Sequence, residues 1–195
     1  MEIVLATNND DKVVEIKELL NDLDVEVLTL KDFPNIPEII EDGKTLKQNA
    51  FKKAKTVFDS TGLFSLGDDT GLEVDALNGQ PGVYSSRFAG ENVTYDDNVN
   101  KLLNEMSNVP DGQRKARFRC VISLVGSGFT DYAEGVCEGE IIKERRGNSG
   151  FGYDPVFFVP RFNKTFAEME LDLKNEISHR GLALKKAKEI LKRLF

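Results

Sequence analysis

The chain has 195 residues, 40% of them hydrophobic and 30% charged, which suits one domain-sized core and excludes disordered and fibrous classes. Lysine and arginine number 26 against 33 aspartate and glutamate, a formal net charge of −7, so general binding to a phosphate backbone is disfavoured and nucleic acid is excluded as the main partner. Cys120 and Cys137 fall in strand-like segments that resemble neither a disulfide framework nor a zinc cluster, and read as reduced core thiols. The start, MEIVLATNND, has no basic region followed by a long apolar run, and no stretch reaches transmembrane length. The expectation is a cytoplasmic protein with no membrane partner.

In chain order, IVLA (3–6) reads as a short buried strand that empties into TNNDDK, after which Val13, Ile16, Leu20 and Leu23 follow helical spacing from an opening near Asp10 or Asp11. DVEVLTL (24–30) alternates like a strand and PNIPEIIEDGK is a proline-bearing loop. From Thr45, the residues Leu46, Ala50, Ala54, Val57 and Phe58 form one apolar helical face, with Gly62 as its stop. FSLG, DD and LEVDAL suggest a buried strand, a turn and another strand. Thr94 and Asp97 predict a capping box opening a helix with Val99, Leu102, Leu103 and Met106 on its apolar face. ARFRCVISLVG and FTDYAEGVCEGEII, joined at Gly126, Ser127 and Gly128, predict a hairpin. RRGNSGFGYDP is a glycine-rich loop and VFFV a short strand. GLALKKAKEILKRLF is a terminal amphipathic helix with Ala183, Leu184, Ala187, Ile190, Leu191 and Leu194 inward. Interspersed strands and helices with a hairpin predict an α/β or α+β chain with a mixed sheet, organised as one domain over 1–195 or at most two lobes sharing a core.

Several of these segments can carry chemistry. TNNDDK, between a buried strand and a helix, can aim backbone N–H groups at an anion while Lys12 adds a point charge, although an ordinary capped helix entrance has the same look. It matches neither a dinucleotide fingerprint nor a P-loop. Glu41 in the proline loop and the Asp68–Asp69 pair after a buried strand can meet at one sheet end and hold a hard cation, magnesium above all, and a carboxylate there can take a proton from water. The plain alternative is that the pair is a turn or a helix cap. Glu73 and Asp75 share one strand face and can face solvent or support the metal or basic side chains. FGYDP can set a ring against a base while Asp154 meets a donor, or can be a packed turn. KNEISHR gathers Lys174, the single histidine His179 and Arg180 ahead of the last helix, where donors can converge, or where Ser178 merely caps.

Taken in order, ATNNDDK, EDGKTLKQNAFKKA, GDDTGLEVDALNGQPGVYSSRFAG, SGFGYDPVFF and KNEISHRGLAL resemble the inosine triphosphate pyrophosphatase family, which removes non-canonical purine nucleotides, and the likeness covers nearly the whole chain. It implies a long mixed sheet with flanking helices in two lobes around a nucleotide cleft, a homodimer, and hydrolysis of inosine, deoxyinosine or xanthosine triphosphate to monophosphate and pyrophosphate with magnesium. Carried over by position, Thr7, Asn8, Asn9, Asp10, Asp11 and Lys12 bind the triphosphate. Glu41 and Asp69 ligate the metal, and Asp69 is the general base. Thr70, Phe151, Gly152, Tyr153, Asp154, Lys174, His179 and Arg180 contact substrate. The chain departs from the common pattern with Asn8 and Asp11 in place of glycines, Leu46 in place of phenylalanine and Thr70 in place of serine. A Maf-like nucleotide pyrophosphatase and a nucleotide sensor without turnover remain as alternatives.

Overall fold

The computed structural model describes residues 2–194. β1 (Glu2–Leu5) buries Ile3, Val4 and Leu5 and pairs in parallel with both β2 (Glu26–Thr29) and β3 (Phe64–Val74), so that Ile3 lies between Val27 and Phe64. α1 (Asp10–Leu20) opens where the sequence predicts. Asn9 caps it, its Oδ1 accepting the Lys12 N–H at 3.1 Å. β2 is shorter than the alternation over 24–30 suggests. Thr29 N–H and Oγ1 both donate to Asp32 Oδ2, at 2.8 and 3.0 Å, and this local bonding turns the chain into a 3₁₀ turn at Leu30.

α2 (Leu46–Thr61) is capped by Thr45, which accepts the Gln48 N–H at 3.2 Å, and stops at Gly62 in the left-handed region. The expected strand, turn and strand over 64–77 is instead one strand, β3, with Asp68 and Asp69 in its middle and buried. Aspartate is a poor strand former, but here tertiary partners override that preference. β4 (Pro81–Gly82) pairs antiparallel with β3. α3 (Tyr95–Glu105) has the predicted capping box, with Thr94 Oγ1 accepting the Asp97 N–H at 3.2 Å and Asp97 Oδ2 accepting the Thr94 N–H at 2.8 Å.

β5 (Lys115–Gly126) and β6 (Phe129–Ile141) form the expected hairpin, followed by β7 (Phe157–Val159) and β8 (Lys164–Thr165). The 174–180 segment does not simply lead into one helix. Lys174 lies in a separate short helix, α4 (Leu171–Ile177), and α5 (His179–Leu194) begins two residues before the predicted GLALKK run. Ala183, Leu184, Ala187 and Leu191 are buried along α5, while Leu194, expected inward, is exposed at its end. The strands form a mixed eight-stranded sheet in the order β2-β1-β3-β5-β6-β7-β8, with β4 on β3, and helices complete the α/β class. Among the described residues no helix is long and apolar enough to cross a membrane.

Contacts divide the chain into two compact units. Unit 1 comprises Met1–Asp69, Cys120–Gly135 and His179–Phe195; unit 2 comprises Thr70–Arg119 and Val136–Ser178. Unit 1 packs Ile3, Leu5, Ile16, Leu66, Ile122, Leu124, Leu184 and Leu191 into a core, and Cys120 is a buried thiol within it. Unit 2 has its own aromatic core, in which the rings of Phe118, Phe157 and Phe166 are 4.7 to 5.9 Å apart and Cys137 is again a buried thiol.

Two glycines let helices of unit 1 press against its strands. A Cβ at Gly67 on β3 would stand 2.4 Å from the Ala50 carbonyl oxygen and 2.7 Å from the Ala54 nitrogen of α2. One at Gly135 on β6 would stand 2.1 Å from the His179 carbonyl oxygen at the start of α5. Gly67 directly precedes the aspartate pair, so it sets how closely α2 approaches them. Gly67→Ala is expected to destabilise the protein by about 1–3 kcal/mol, the usual cost of forcing extra volume into a packed interior, measured as a lowered denaturant midpoint at unchanged m.

Candidate active site

The middle of β3 carries two adjacent carboxylates, and successive strand side chains point to opposite faces, so the pair is divided between different partners. Asp68 is only 1% exposed. Its carboxylate accepts from Lys12 Nζ at 3.2 and 3.1 Å, through Oδ1 and Oδ2, and from Arg180 Nε at 3.4 Å. Arg180, 2% exposed at the start of α5, also donates through Nη1 to Glu15 Oε2 at 2.5 Å, and Glu15 stands three residues after Lys12 on the same helical face. Lys12, Asp68, Arg180 and Glu15 thus form a connected series of alternating charge inside unit 1. Burial pushes the Asp68 carboxyl upward, but the ammonium of Lys12, the guanidinium of Arg180 and the ammonium of Lys53 outweigh it and hold the group well below the ordinary carboxylate range. Burial likewise opposes the Arg180 charge, and Asp68 and Glu15 more than restore it.

Asp69 turns to α2. Lys53 Nζ donates to Asp69 Oδ1 at 3.1 Å and to the Asp68 carbonyl oxygen at 3.0 Å, and lies 2.8 Å from Glu41 Oε2. Asn49 fixes the other carboxylate oxygen, its Nδ2 donating to Asp69 Oδ2 at 3.1 Å, while its own Oδ1 accepts the Gly43 N–H at 2.7 Å and ties the Glu41 loop to the helix. Burial raises the Asp69 carboxyl, the Lys53 and Lys12 charges draw it down, Glu41 adds to the rise, and the balance lies above the ordinary value. For Lys53, burial works against the charge and the three carboxylates of Asp69, Glu41 and Asp68 win, leaving its pKa raised.

The Glu41 and Asp69 carboxylates therefore converge on one cation position, at which the Lys53 ammonium stands. Their donors are hard oxygens. Around this point and the adjacent series, the four carboxylates of Glu15, Glu41, Asp68 and Asp69 face the three cations Lys12, Lys53 and Arg180, so the cluster keeps an excess of negative charge. Both facts fit a divalent metal such as magnesium, which needs only one or two carboxylates and otherwise keeps water or phosphate oxygens. Among the described residues, no three His, Cys, Asp or Glu side chains close into a protein-only cage.

The loop before α1 is built from its own side chains. Thr7 Oγ1 accepts the Asn9 N–H at 3.2 Å, Asn9 caps the helix, and Asp10 pairs with Lys31 at 2.7 Å in solvent. Asp11 is exposed. Thr7, Asn8 and Asp10 border a hollow of about 210 Å³ with Lys17 and Lys31 on its wall.

His179 is buried at the start of α5 in unit 1, next to Arg180, and unit 2 holds the remaining candidates. Tyr153 is buried and its hydroxyl donates to the Ser85 carbonyl oxygen at 2.8 Å, while burial pushes its pKa up. Asp154 Oδ2 accepts the Phe151 N–H at 2.9 Å and Lys174 Nζ at 2.8 Å, and the Lys174 ammonium lies 5.1 Å from the Phe151 ring centre. Lys174 and Arg180, expected to converge, thus answer to different acids in different units. Gly152 lies in the same loop with φ +61, and Thr70 is a half-buried residue of β3. Glu73 and Asp75 are held by arginines, with Arg119 Nε donating to Glu73 at 3.0 Å and Arg117 Nη2 to Asp75 at 2.6 Å.

Sequence reasoning passed over Lys53, Asn49 and Glu15. Asn49 and Lys53 were detectable, since they sit four residues apart on the buried stripe of Leu46, Ala50, Ala54 and Val57, where polar residues need a reason. Glu15 carries no comparable signal.

A model of the Ham1 family matches residues 3–190. The chain is 53% identical to a dITP/XTP pyrophosphatase from Desulforamulus reducens, over 100% of this chain and 98% of that protein. It is 48% identical to a dITP/XTP pyrophosphatase from Geobacter sulfurreducens, over 97% and 96%. Among solved structures, a HAM1 protein from Coxiella burnetii superposes with a TM-score of 0.91 at 43% identity, covering 99% of both chains. The Staphylococcus aureus Ham1 protein gives 0.89 at 38% identity, covering 100% of both.

The ion pairs of Asp68 make a stability prediction. Asp68→Asn leaves Lys12 and Arg180 facing a neutral group and is expected to cost about 3 kcal/mol in denaturant unfolding at pH 7. The folded pKa of Asp68 lies below its unfolded value of about 3.9, so its contribution is complete above that value and is lost as pH falls toward the folded pKa. The gap between parent and variant is expected to narrow at about pH 3 relative to pH 7.

Proposed function

The chain belongs to the Ham1 family, and we propose that it hydrolyses the triphosphates of inosine, deoxyinosine and xanthosine to the monophosphate and pyrophosphate. The observation that carries this reading is the buried Asp69 carboxylate, oriented by Asn49 and paired with Glu41 about a single cation position. Its support from relatives is that proteins named dITP/XTP pyrophosphatase share about half of its residues over nearly their whole length.

Asp69 is the general base. Its buried setting raises its proton affinity toward the working range of such a group, and Asn49 holds the carboxylate in place for the transfer. Water attacks the α-phosphorus, its oxygen forming the new P–O bond while its proton goes to Asp69. The bond to the bridging oxygen breaks, and pyrophosphate leaves with that electron pair. Glu41 and Asp69 would hold magnesium, which when bound neutralises polyphosphate charge and polarises the phosphoryl oxygens. Lys12, at the N-terminal turn of α1, and the Thr7 to Asp11 loop bind the phosphates. Thr70 supplies a hydroxyl to the substrate.

Phe151 stacks on the base, in the loop that Gly152, Tyr153 and Asp154 shape, and donors from the His179 and Arg180 segment meet its 6-oxo acceptor. Adenine presents a 6-amino donor there, and a polar site left mismatched discriminates strongly. The protein acts on the nucleotide pool in the cytoplasm and works as a homodimer.

The test is product analysis with magnesium, offering inosine, xanthosine, adenosine, guanosine and thymidine triphosphates in parallel. Pyrophosphate released mainly from the first two is the expected result, whereas orthophosphate as first product would reassign the cleaved bond. Asp69→Asn is expected to lower kcat by about two orders of magnitude or more with substrate binding retained, and a variant turning over near the parent rate would take the base role from Asp69. Chelation with EDTA should abolish turnover and added magnesium should restore it.

A further inference from the structure

Tyr95 is an aromatic residue that neither the mechanism nor the core uses. It occupies the first position of α3, just after the Thr94 cap, and is 45% exposed. Its ring centre lies 5.9 Å from that of Phe151 at an interplanar angle of 39°, within the range of a favourable aromatic pair.

Phe151 needs such a neighbour. It is flanked by Gly150 and Gly152, both with positive φ, so its backbone is set in a segment with little stiffness of its own. Asp154 fixes the Phe151 N–H, and the Lys174 ammonium faces the ring at 5.1 Å. These contacts anchor the backbone and one part of the ring. The Tyr95 ring supplies a further wall. The turn that carries it is tied to the same loop a second time, through Arg145 Nη2, which donates to Asn100 Oδ1 at 3.0 Å and lies 3.5 Å from Asp96 Oδ1.

We propose that Tyr95 is a positioning residue for base recognition: its ring holds the Phe151 ring in the orientation that receives the purine. The inference rests on the reading that Phe151 binds the base. Tyr95 acts through the ring of Phe151 and not through its hydroxyl, so phenylalanine serves equally well. Its effect falls on KM for base-bearing substrates and leaves kcat and phosphate binding unchanged.

The experiment compares Tyr95→Ala, Tyr95→Leu and Tyr95→Phe, each in the parent and in a Phe151→Ala background. It measures kcat and KM for inosine triphosphate and inhibition by inorganic tripolyphosphate, with circular dichroism confirming that the exposed site tolerates each change. Tyr95→Ala and Tyr95→Leu are expected to raise KM about two- to tenfold, the worth of one such aromatic pair, at unchanged kcat and unchanged tripolyphosphate inhibition. Tyr95→Phe should match the parent. In the Phe151→Ala background, Tyr95→Ala should add nothing. If Phe151→Ala raises KM while Tyr95→Ala and Tyr95→Leu do not, the inference is wrong and the base-binding reading stands. Weakened tripolyphosphate inhibition in the Tyr95 variants would also overturn it. If Phe151→Ala leaves KM unchanged, the base-binding reading of Phe151 falls and the inference falls with it.

Discussion

A carboxylate buried in the middle of a strand is the constraint on which unit 1 depends. Removing an ion from water costs several kcal/mol even after relaxation, so Asp68 can sit there only with cations brought to it. Lys12 comes from the first turn of α1 and Arg180 from the first turn of α5, and this fixes the entrances of both helices against β3. Arg180 in turn is balanced by Glu15, one helical turn beyond Lys12. Without Glu15, the guanidinium would have Asp68 as its sole carboxylate in this series and would compete with Lys12 for it.

The neighbour of Asp68 inherits a different environment from strand geometry alone. Alternation sends Asp68 and Asp69 to opposite sides, and their proton affinities move in opposite directions. Asp68 is locked as an anion and becomes architecture. Asp69, held by Lys53 and Asn49 yet also facing Glu41, keeps a raised proton affinity. Close passage of α2 at Gly67 brings Lys53 and Asn49 within reach of Asp69, so a missing side chain in the strand is as much a part of the site as the charged ones.

Local chemistry was readable along the chain, and distant chemistry was not. The Thr94 capping box, the Gly62 stop, the hairpin at 126–128 and the helix opening at Asp10 depend on residues a few positions apart, and each is found in place. The turn expected at Asp68 and Asp69 failed because their partners are not local: those of Asp68 lie 56 and 112 residues away, at Lys12 and Arg180, and those of Asp69 lie 16 and 20 residues away, at Lys53 and Asn49. The same limit separated Lys174 from Arg180. Six positions apart in sequence, they belong to different helices and pair with different acids. The metal and base assignments came from family resemblance, while the geometry explains why Glu41, far from Asp69 in sequence, stands beside it: Asn49 ties the Glu41 loop to α2 through Gly43.

The acidic balance of the protein then takes on a meaning that net charge alone does not give. Lys12 and Lys53 are the lysines of the cluster, each is already paired with carboxylates, and the cluster as a whole remains negative. A bare polyanion gains little from such a site. Pairing the cations in advance thus lowers the general attraction of the site for bare phosphate, in keeping with a chain of net charge −7.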